Sequence, residues 1–180
     1  GGIPAGNQIL AEDVHFYQQV TSLPVTPTEI NPYCLIPAVS PNIAARLSET
    51  TIDLDEIEQA YRRLVSRHEV VLVEGAGGIC VPINDSFTFA DLAKRLNLPL
   101  LVVARPGLGT INHTVLTVRY AQQCGLKVTG IIINGYRAET ATMAEKTNPE
   151  IIRALTGIPI LGIVPWIDGL NVETGQAANL

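Results

Sequence analysis

Val70, Val71, Leu72 and Val73 run without polar alternation, end on Glu74 and lead into Gly75-Ala76-Gly77-Gly78. Four consecutive branched apolar residues predict a strand buried on both faces. Similar runs follow at residues 100–104, 128–133 and 158–164, the last interrupted early by Pro159. Between them the apolar positions change to helical spacing. Thr88 and Asp91 open one helix with Leu92, Ala93 and Leu96 inward. A second runs from Thr110 to Cys124, with Gly125 as its stop. A third starts at Asn148-Pro149-Glu150 and ends at Gly157.

Upstream, the pattern predicts a short helix over about residues 11–19 and another over about 40–47, with Ser40 as cap and Pro41 in the first helical position. Asp53 and Glu56 form a box-like start for the next helix. Its face Leu54, Ile57, Tyr61 and Leu64 packs inward, and Glu58, Arg62, Arg63 and Arg67 form the wet side. Residues 1–10, with Gly1, Gly2, Pro4 and Gly6, read as a loop. Residues 21–41 read as proline-rich turns, and the last fifteen or so as loop and tail.

From Val70 onward the order is strand, helix, strand, helix, strand, helix, strand. Such alternation predicts an α/β fold with a parallel sheet and crossover helices. Right-handed crossovers place all strand ends on one edge. Glu74, Arg105, Asn134 and Pro165 are therefore expected to line a common rim, where α/β sheets bind ligands. A length of 180 residues fits one domain over 1–180.

Composition narrows the chemistry. The formal net charge of −5 argues against a general nucleic-acid surface. No apolar run is long enough to span a bilayer, and no membrane partner is expected. Cys34, Cys80 and Cys124 are far apart and form no C-x-x-C pair, which fits structural thiols in a reducing, cytoplasmic setting.

On the rim, Glu74 followed by glycines suits a metal and phosphates, because glycine lets backbone N–H groups approach an anion. An acid beside phosphates calls for a cation, with Mg2+ the usual choice. A surface acid and a tight turn are the competing reading. Asp13 alone reads as a first-turn acid complementing the helix dipole. Asn134 can match a purine edge. Trp166 could pack on a planar ring or close the core. Arg105 could hold an anion or make an edge salt bridge. The helix start at Thr110, with Asn112 and His113 in its first turn, could receive a carboxylate. His113 has no partner that suggests a triad. The sequence contains no G-x-x-x-x-G-K-S/T phosphate loop, so spacing alone does not establish ATP chemistry.

Val-Glu-Gly-Ala-Gly-Gly at 73–78, Phe-Thr-Phe-Ala-Asp-Leu at 87–92, Arg-Pro-Gly-Leu-Gly-Thr-Ile-Asn-His-Thr at 105–114 and Val-Pro-Trp at 164–166, with Asn31-Pro32-Tyr33 and Ser40-Pro41, resemble the ATP-dependent dethiobiotin synthetases. The resemblance covers nearly the whole chain. It implies a three-layer, doubly wound, mostly parallel α/β fold of the P-loop NTPase type, a homodimer, and a ligase of biotin biosynthesis. In that reaction CO2 joins 7,8-diaminononanoate, with ATP as co-substrate and Mg2+. A carbamate forms on one amine, its oxygen takes the γ-phosphoryl group, and the second amine closes the ureido ring. Positioning and electrostatic stabilisation supply most of the catalysis in such a transfer.

By resemblance, Asp13 and Glu74 match acids that hold Mg2+. Glu74, Gly75, Ala76 and Gly77 match a nucleotide-contacting segment. Asn134 and Gly135, with Pro165, Trp166 and Ile167, match adenine loops. Ser40 and Asn112 match positions near the diamine, with Asn112 reaching it from the partner subunit. The tail around Asn171 to Glu173, which has no clear counterpart in the family pattern, is expected to lie near the nucleotide. The family pattern opens with a strand, a P-loop, a helix and a second strand ending in a Lys-Pro-Val turn, which this sequence does not contain. The expectation is an amino-terminally incomplete chain that lacks the catalytic lysines and is inactive alone. Two rivals stand beside this reading. One is a related domain of the cobyrinate-synthase or partition-ATPase type. The other is a non-catalytic shortened paralogue serving as a dimerisation module.

Overall fold

A computed structural model describes residues 2–5, 8–21, 24–172 and 175–176. The chain divides into two compact units, Gly1–Phe89 with Asp168–Leu180, and Ala90–Ile167.

The first unit opens with an antiparallel hairpin, β1 (Gly2–Ala5) and β2 (Gln8–Ala11), in which Gly2 pairs with Ala11 and Ala5 with Gln8. The loop expected over 1–10 is therefore replaced by paired strands at its described positions; Gly1 and Gly6 lie outside the described residues. Glycine and proline misled the reading. Proline is tolerated in an edge strand, where its missing N–H costs no ladder bond.

Helix α1 (Glu12–Val20) follows at once and buries Val14 and Phe16. It ends where Thr21 turns extended and its hydroxyl donates to the Tyr17 carbonyl at 2.6 Å. Within the expected turn region a short helix, α2 (Pro27–Ile30), is started by Thr26 and Glu29 acting as a reciprocal capping box with Pro27 in the first turn. Helix α3 (Pro41–Leu47) lies as expected. Ser40 holds the cap position, but its hydroxyl donates to Asn42 Oδ1 at 2.8 Å and not to the helix backbone.

Helix α4 (Leu54–Val65) is capped by the Asp53 carboxylate, which accepts from the Asp55 N–H at 2.8 Å. Its expected partner Glu56 turns away and accepts the Tyr33 hydroxyl. Leu54 is buried, with Ile57, Tyr61 and Leu64 half-buried beside it, as the periodicity requires. Arg67 is more than a wet-face residue, because it pairs with Glu29 at 2.6 Å and ties the end of α4 to α2.

The strand expected over 70–74 is absent. The segment carries no regular secondary structure and pairs with no strand among the described residues. Val70 is 74% exposed and Leu72 90%. A strand needs a ladder partner for its backbone groups and a covering layer for its side chains, and among the described residues no strand pairs with this segment.

The second unit contains α5 (Phe89–Arg95) from Ala90 onward, then β3 (Leu100–Ala104), α6 (Thr110–Gln123), β4 (Val128–Tyr136), α7 (Met143–Thr156) and β5 (Ile160–Pro165). The three strands form a parallel sheet in the order β3-β4-β5. Helix α6 packs on β3 and β4, and α7 packs on α6. Ile131 and Ile133 of β4, Val118 and Ala121 of α6 and Ile152 of α7 are fully buried. The other sheet face carries exposed Leu101, Val103, Leu161 and Ile163. Residues 100–104 are thus buried on one face, not both, because α6 covers a single side.

Helix α7 starts earlier than expected. Thr142 and Glu145 form a complete capping box, and Pro149 lies inside the helix. Proline removes one helical N–H there. Asn148 offsets the disruption with a tertiary bond, its buried side chain donating to the Pro106 carbonyl at 2.8 Å.

Candidate functional site

In the first unit, Asp13 sits exposed in the first turn of α1, and Tyr17 follows one turn later. Residues four apart share a helix face. The Tyr17 hydroxyl donates to Glu74 Oε2 at 2.7 Å. This bond brings Glu74 to the face of α1 that carries Asp13. The phenol is pushed up to about 12, first by its hydrogen bond to the Glu74 carboxylate, then by burial and by the charges of Glu74 and Asp13. Both acids therefore act on one phenol. Sequence reasoning paired Asp13 with Glu74 through resemblance but missed Tyr17, whose position one helical turn after Asp13 was the available signal.

The glycine loop after Glu74 has a steric explanation. A Cβ on Gly75 would stand 3.1 Å from the Phe89 ring, and Gly77 has φ +95, a region that favours glycine. The loop is closed by Val81 donating to the Gly78 carbonyl at 2.9 Å and by Phe89 donating to the Val81 carbonyl at 3.1 Å. Ala76 is exposed within it.

Two carboxylates supply hard oxygen donors, which fit Mg2+ held through one or two acids with phosphates completing its shell. No group of three or more His, Cys, Asp or Glu residues able to hold a metal occurs among the described residues.

In the second unit, the carboxyl ends of the parallel strands bring Arg105, Asn134 and Pro165 to one sheet edge. Glu74 belongs to the other unit and lies on no strand, so the four-strand rim reduces to three strand ends. Strand β4 continues through Asn134 and Gly135 to Tyr136. Asn134 pairs with Val164 and Tyr136 with Pro165, leaving Gly135 as a bulge at φ +80. A bulge re-aims side chains and occurs often beside functional sites. Trp166 N–H donates to the Tyr136 carbonyl at 2.9 Å, and a Cβ on Gly135 would stand 3.6 Å from the Trp166 ring. Asn134, Gly135, Pro165 and Trp166 are therefore brought together, with half-buried Ile167 next in the chain.

Trp166 is exposed, which removes the reading of a core-closing aromatic. The Arg137 guanidinium lies 4.5 Å from its ring centroid, a cation–π contact that the sequence reading did not foresee. It depends on the β4–β5 register, which no local pattern reveals.

Gly109, at φ +86, caps α6, and Asn112 and His113 lie exposed in its first turn. Arg105 donates to His113 Nδ1 at 3.2 Å. A guanidinium has no acceptor, so Nδ1 is the acceptor here. The described partner of the Arg105 side chain is thus an imidazole nitrogen. Ser40 belongs to the first unit and Asn112 to the second. In the tail, Asn171 pairs with Gln176, and Glu173 lies outside the described residues. No helix among the described residues is long and apolar enough to cross a membrane.

A family profile described as an AAA domain matches residues 4–174. The ATP-dependent dethiobiotin synthetase BioD of Bacillus subtilis (strain 168) is 40% identical over 162 residues, which is 90% of this chain and 70% of that protein. The protein of the same name from Bacillus licheniformis is 40% identical over 87% of this chain and 66% of its own length. That from Anoxybacillus flavithermus is 43% identical over 90% and 72%. The chain spans about two thirds of the length of these relatives. The observed parallel α/β unit agrees with the P-loop-type fold class expected from the sequence. With the profile covering nearly all its residues and identities at 40% or above, the chain belongs to the ATP-dependent dethiobiotin synthetase family.

Proposed function

We propose that the protein carries out the ATP-dependent carboxylation and ring closure of 7,8-diaminononanoate with CO2 to give dethiobiotin. The observation that carries the nucleotide half of this reading is the closure of Asn134–Gly135 against Pro165–Trp166 across the β4–β5 register. The substrate half rests on membership of a family whose members bear that activity in their name. Asn134 offers a donor and an acceptor to the purine edge. Trp166 offers a planar ring, and Ile167 an apolar neighbour. Glu74, Gly75, Ala76 and Gly77 follow the phosphates, with the loop backbone close to them.

Asp13 and Glu74 are assigned to Mg2+, which would offset charge on the phosphoryl oxygens during transfer. Glu74 accepts the Tyr17 hydroxyl and Asp13 lies one helical turn before Tyr17, which supports a joint role. Ser40 and Asn112 are assigned to the diamine. Ser40 already spends its hydroxyl proton on Asn42, leaving its oxygen lone pairs for an ammonium or amine donor. Action as a single functional domain over 1–180, as a cytoplasmic homodimer with Asn112 serving the partner's site, belongs to the same proposal. The profile match over 4–174 supports the single-domain part.

The test is incorporation of labelled bicarbonate into dethiobiotin by the protein purified from its source, with ATP or the diamine omitted as controls. Incorporation that needs both supports the reading. Nucleotide turnover that ignores the diamine rejects it and favours another reaction of the fold.

A further inference from the structure

We propose that Tyr17 is a positioning residue whose phenol holds the Glu74 carboxylate on the Asp13 face of α1, so that both acids are presented to one divalent cation. This rests on the metal reading of Asp13 and Glu74 given above. Three observations lead to it. The Tyr17 hydroxyl donates to Glu74 Oε2 at 2.7 Å. Asp13 and Tyr17 lie one helical turn apart on α1, so they project from one face. Residues 70–74 make no strand ladder among the described residues, so the phenol supplies a tether that backbone pairing does not.

The chemistry of the bond suits the role. A phenol has one proton to donate, and it goes to one carboxylate oxygen. Oε1 and the remaining lone pair of Oε2 stay free for a cation. An exposed carboxylate samples many orientations, and holding it in advance lowers the ordering cost of binding. Groups that orient metal ligands through hydrogen bonds influence affinity in this way.

Tyr17→Phe removes the hydroxyl and keeps the ring. Tyr17 is 41% exposed, so the fold is expected to survive, and an unfolding curve run alongside verifies it. Mn2+, followed by electron paramagnetic resonance, is the probe in the presence of a non-hydrolysable ATP analogue. Glu74→Gln is measured in parallel. In Tyr17→Phe, Mn2+ affinity is expected to fall roughly three- to tenfold, the scale of one hydrogen bond. The Mg2+ concentration for half-maximal turnover should rise by a similar factor, and by more than kcat falls. A purely structural role would leave that split unmoved. Unchanged or tighter Mn2+ binding in Tyr17→Phe, with binding lost in Glu74→Gln, overturns the role of Tyr17 and leaves the metal reading standing. Unchanged binding in Glu74→Gln overturns the metal reading, and the role of Tyr17 with it.

Discussion

Glu74 is an exposed acid outside the strand ladders of the described residues, and its described side-chain contact is with Tyr17. Its removal should therefore touch chemistry far more than stability. Glu74→Ala is expected to lower kcat/KM for Mg-ATP roughly a hundredfold, the scale of losing one pre-placed electrostatic group. The thermal midpoint should stay within about 1 °C, because surface changes away from special features alter stability little. Turnover equal to the parent protein would remove Glu74 from the site. At this scale resemblance to the family is what singled out Asp13 and Glu74 as candidates. Tyr17, Arg137 and the loop anchor Asn148 were not legible. Each earns its place through a neighbour distant in sequence, and no local pattern encodes that distance.

Two elements carry predictions of their own. The turn of α2 is closed by Glu29, whose carboxyl is lowered from 4.5 to about 2. The largest cause is the Thr26 backbone N–H, followed by the Arg67 guanidinium and the Thr26 hydroxyl. A carboxyl depressed in the folded state stabilises fully above its ordinary value and loses that contribution as pH falls through the folded one. The tether between α2 and α4 should therefore persist from neutrality to below pH 4.5 and release near pH 2. The Thr26 amide shift, followed by NMR against Glu29→Gln, reads this directly; a midpoint near 4.5 would contradict the capping geometry. The second element is the bulge in β4. Gly135 at φ +80 should cost about 1–2 kcal/mol when replaced by alanine. Gly135→Asn should cost less, because Asn visits that region more readily. Urea unfolding of the two variants compares them, and a loss in Gly135→Asn equal to or larger than that in Gly135→Ala would contradict the backbone explanation, because the Trp166 ring leaves ordinary contact distance to a Cβ here.

Most elements were readable from periodicity and caps, α4 and α6 closely so. The exceptions have physical reasons. The hairpin β1–β2 contains residues that usually break strands, and pairing overrode them. Pro149 suggested a helix start, but the Thr142–Glu145 box nucleates α7 earlier.

At the scale of the molecule, each compact unit is described by its own packing, and that of the second is the clearer. Ile133 is fully buried in the middle strand of the sheet. Ile133→Ala should cost about 2–5 kcal/mol, and Ile133→Val about 0.5–1.5 kcal/mol, from lost transfer energy and the cavity left behind. Denaturant unfolding measures both. Losses under about 0.5 kcal/mol in the alanine variant would contradict the packing, because that is the range of surface changes.

The sequence by itself determined the α/β class, the parallel strands β3, β4 and β5 with their crossover helices, and the family, because these follow from local periodicity, caps and motifs. It also singled out the acids and the loops about Asn134 and Trp166. Tertiary structure decided which expected features materialise and which residues meet. Among the described residues the apolar run at 70–74 has no strand pairing, because a ladder needs a neighbour as well as a suitable sequence. The sheet is covered on one face by α6. Register places Gly135 in a bulge against Trp166 and Arg137 over its ring. A hydrogen bond between distant segments sets Glu74 beside the Asp13 face of α1. Such meetings depend on pairing and burial across the chain, so no stretch of residues specifies them alone.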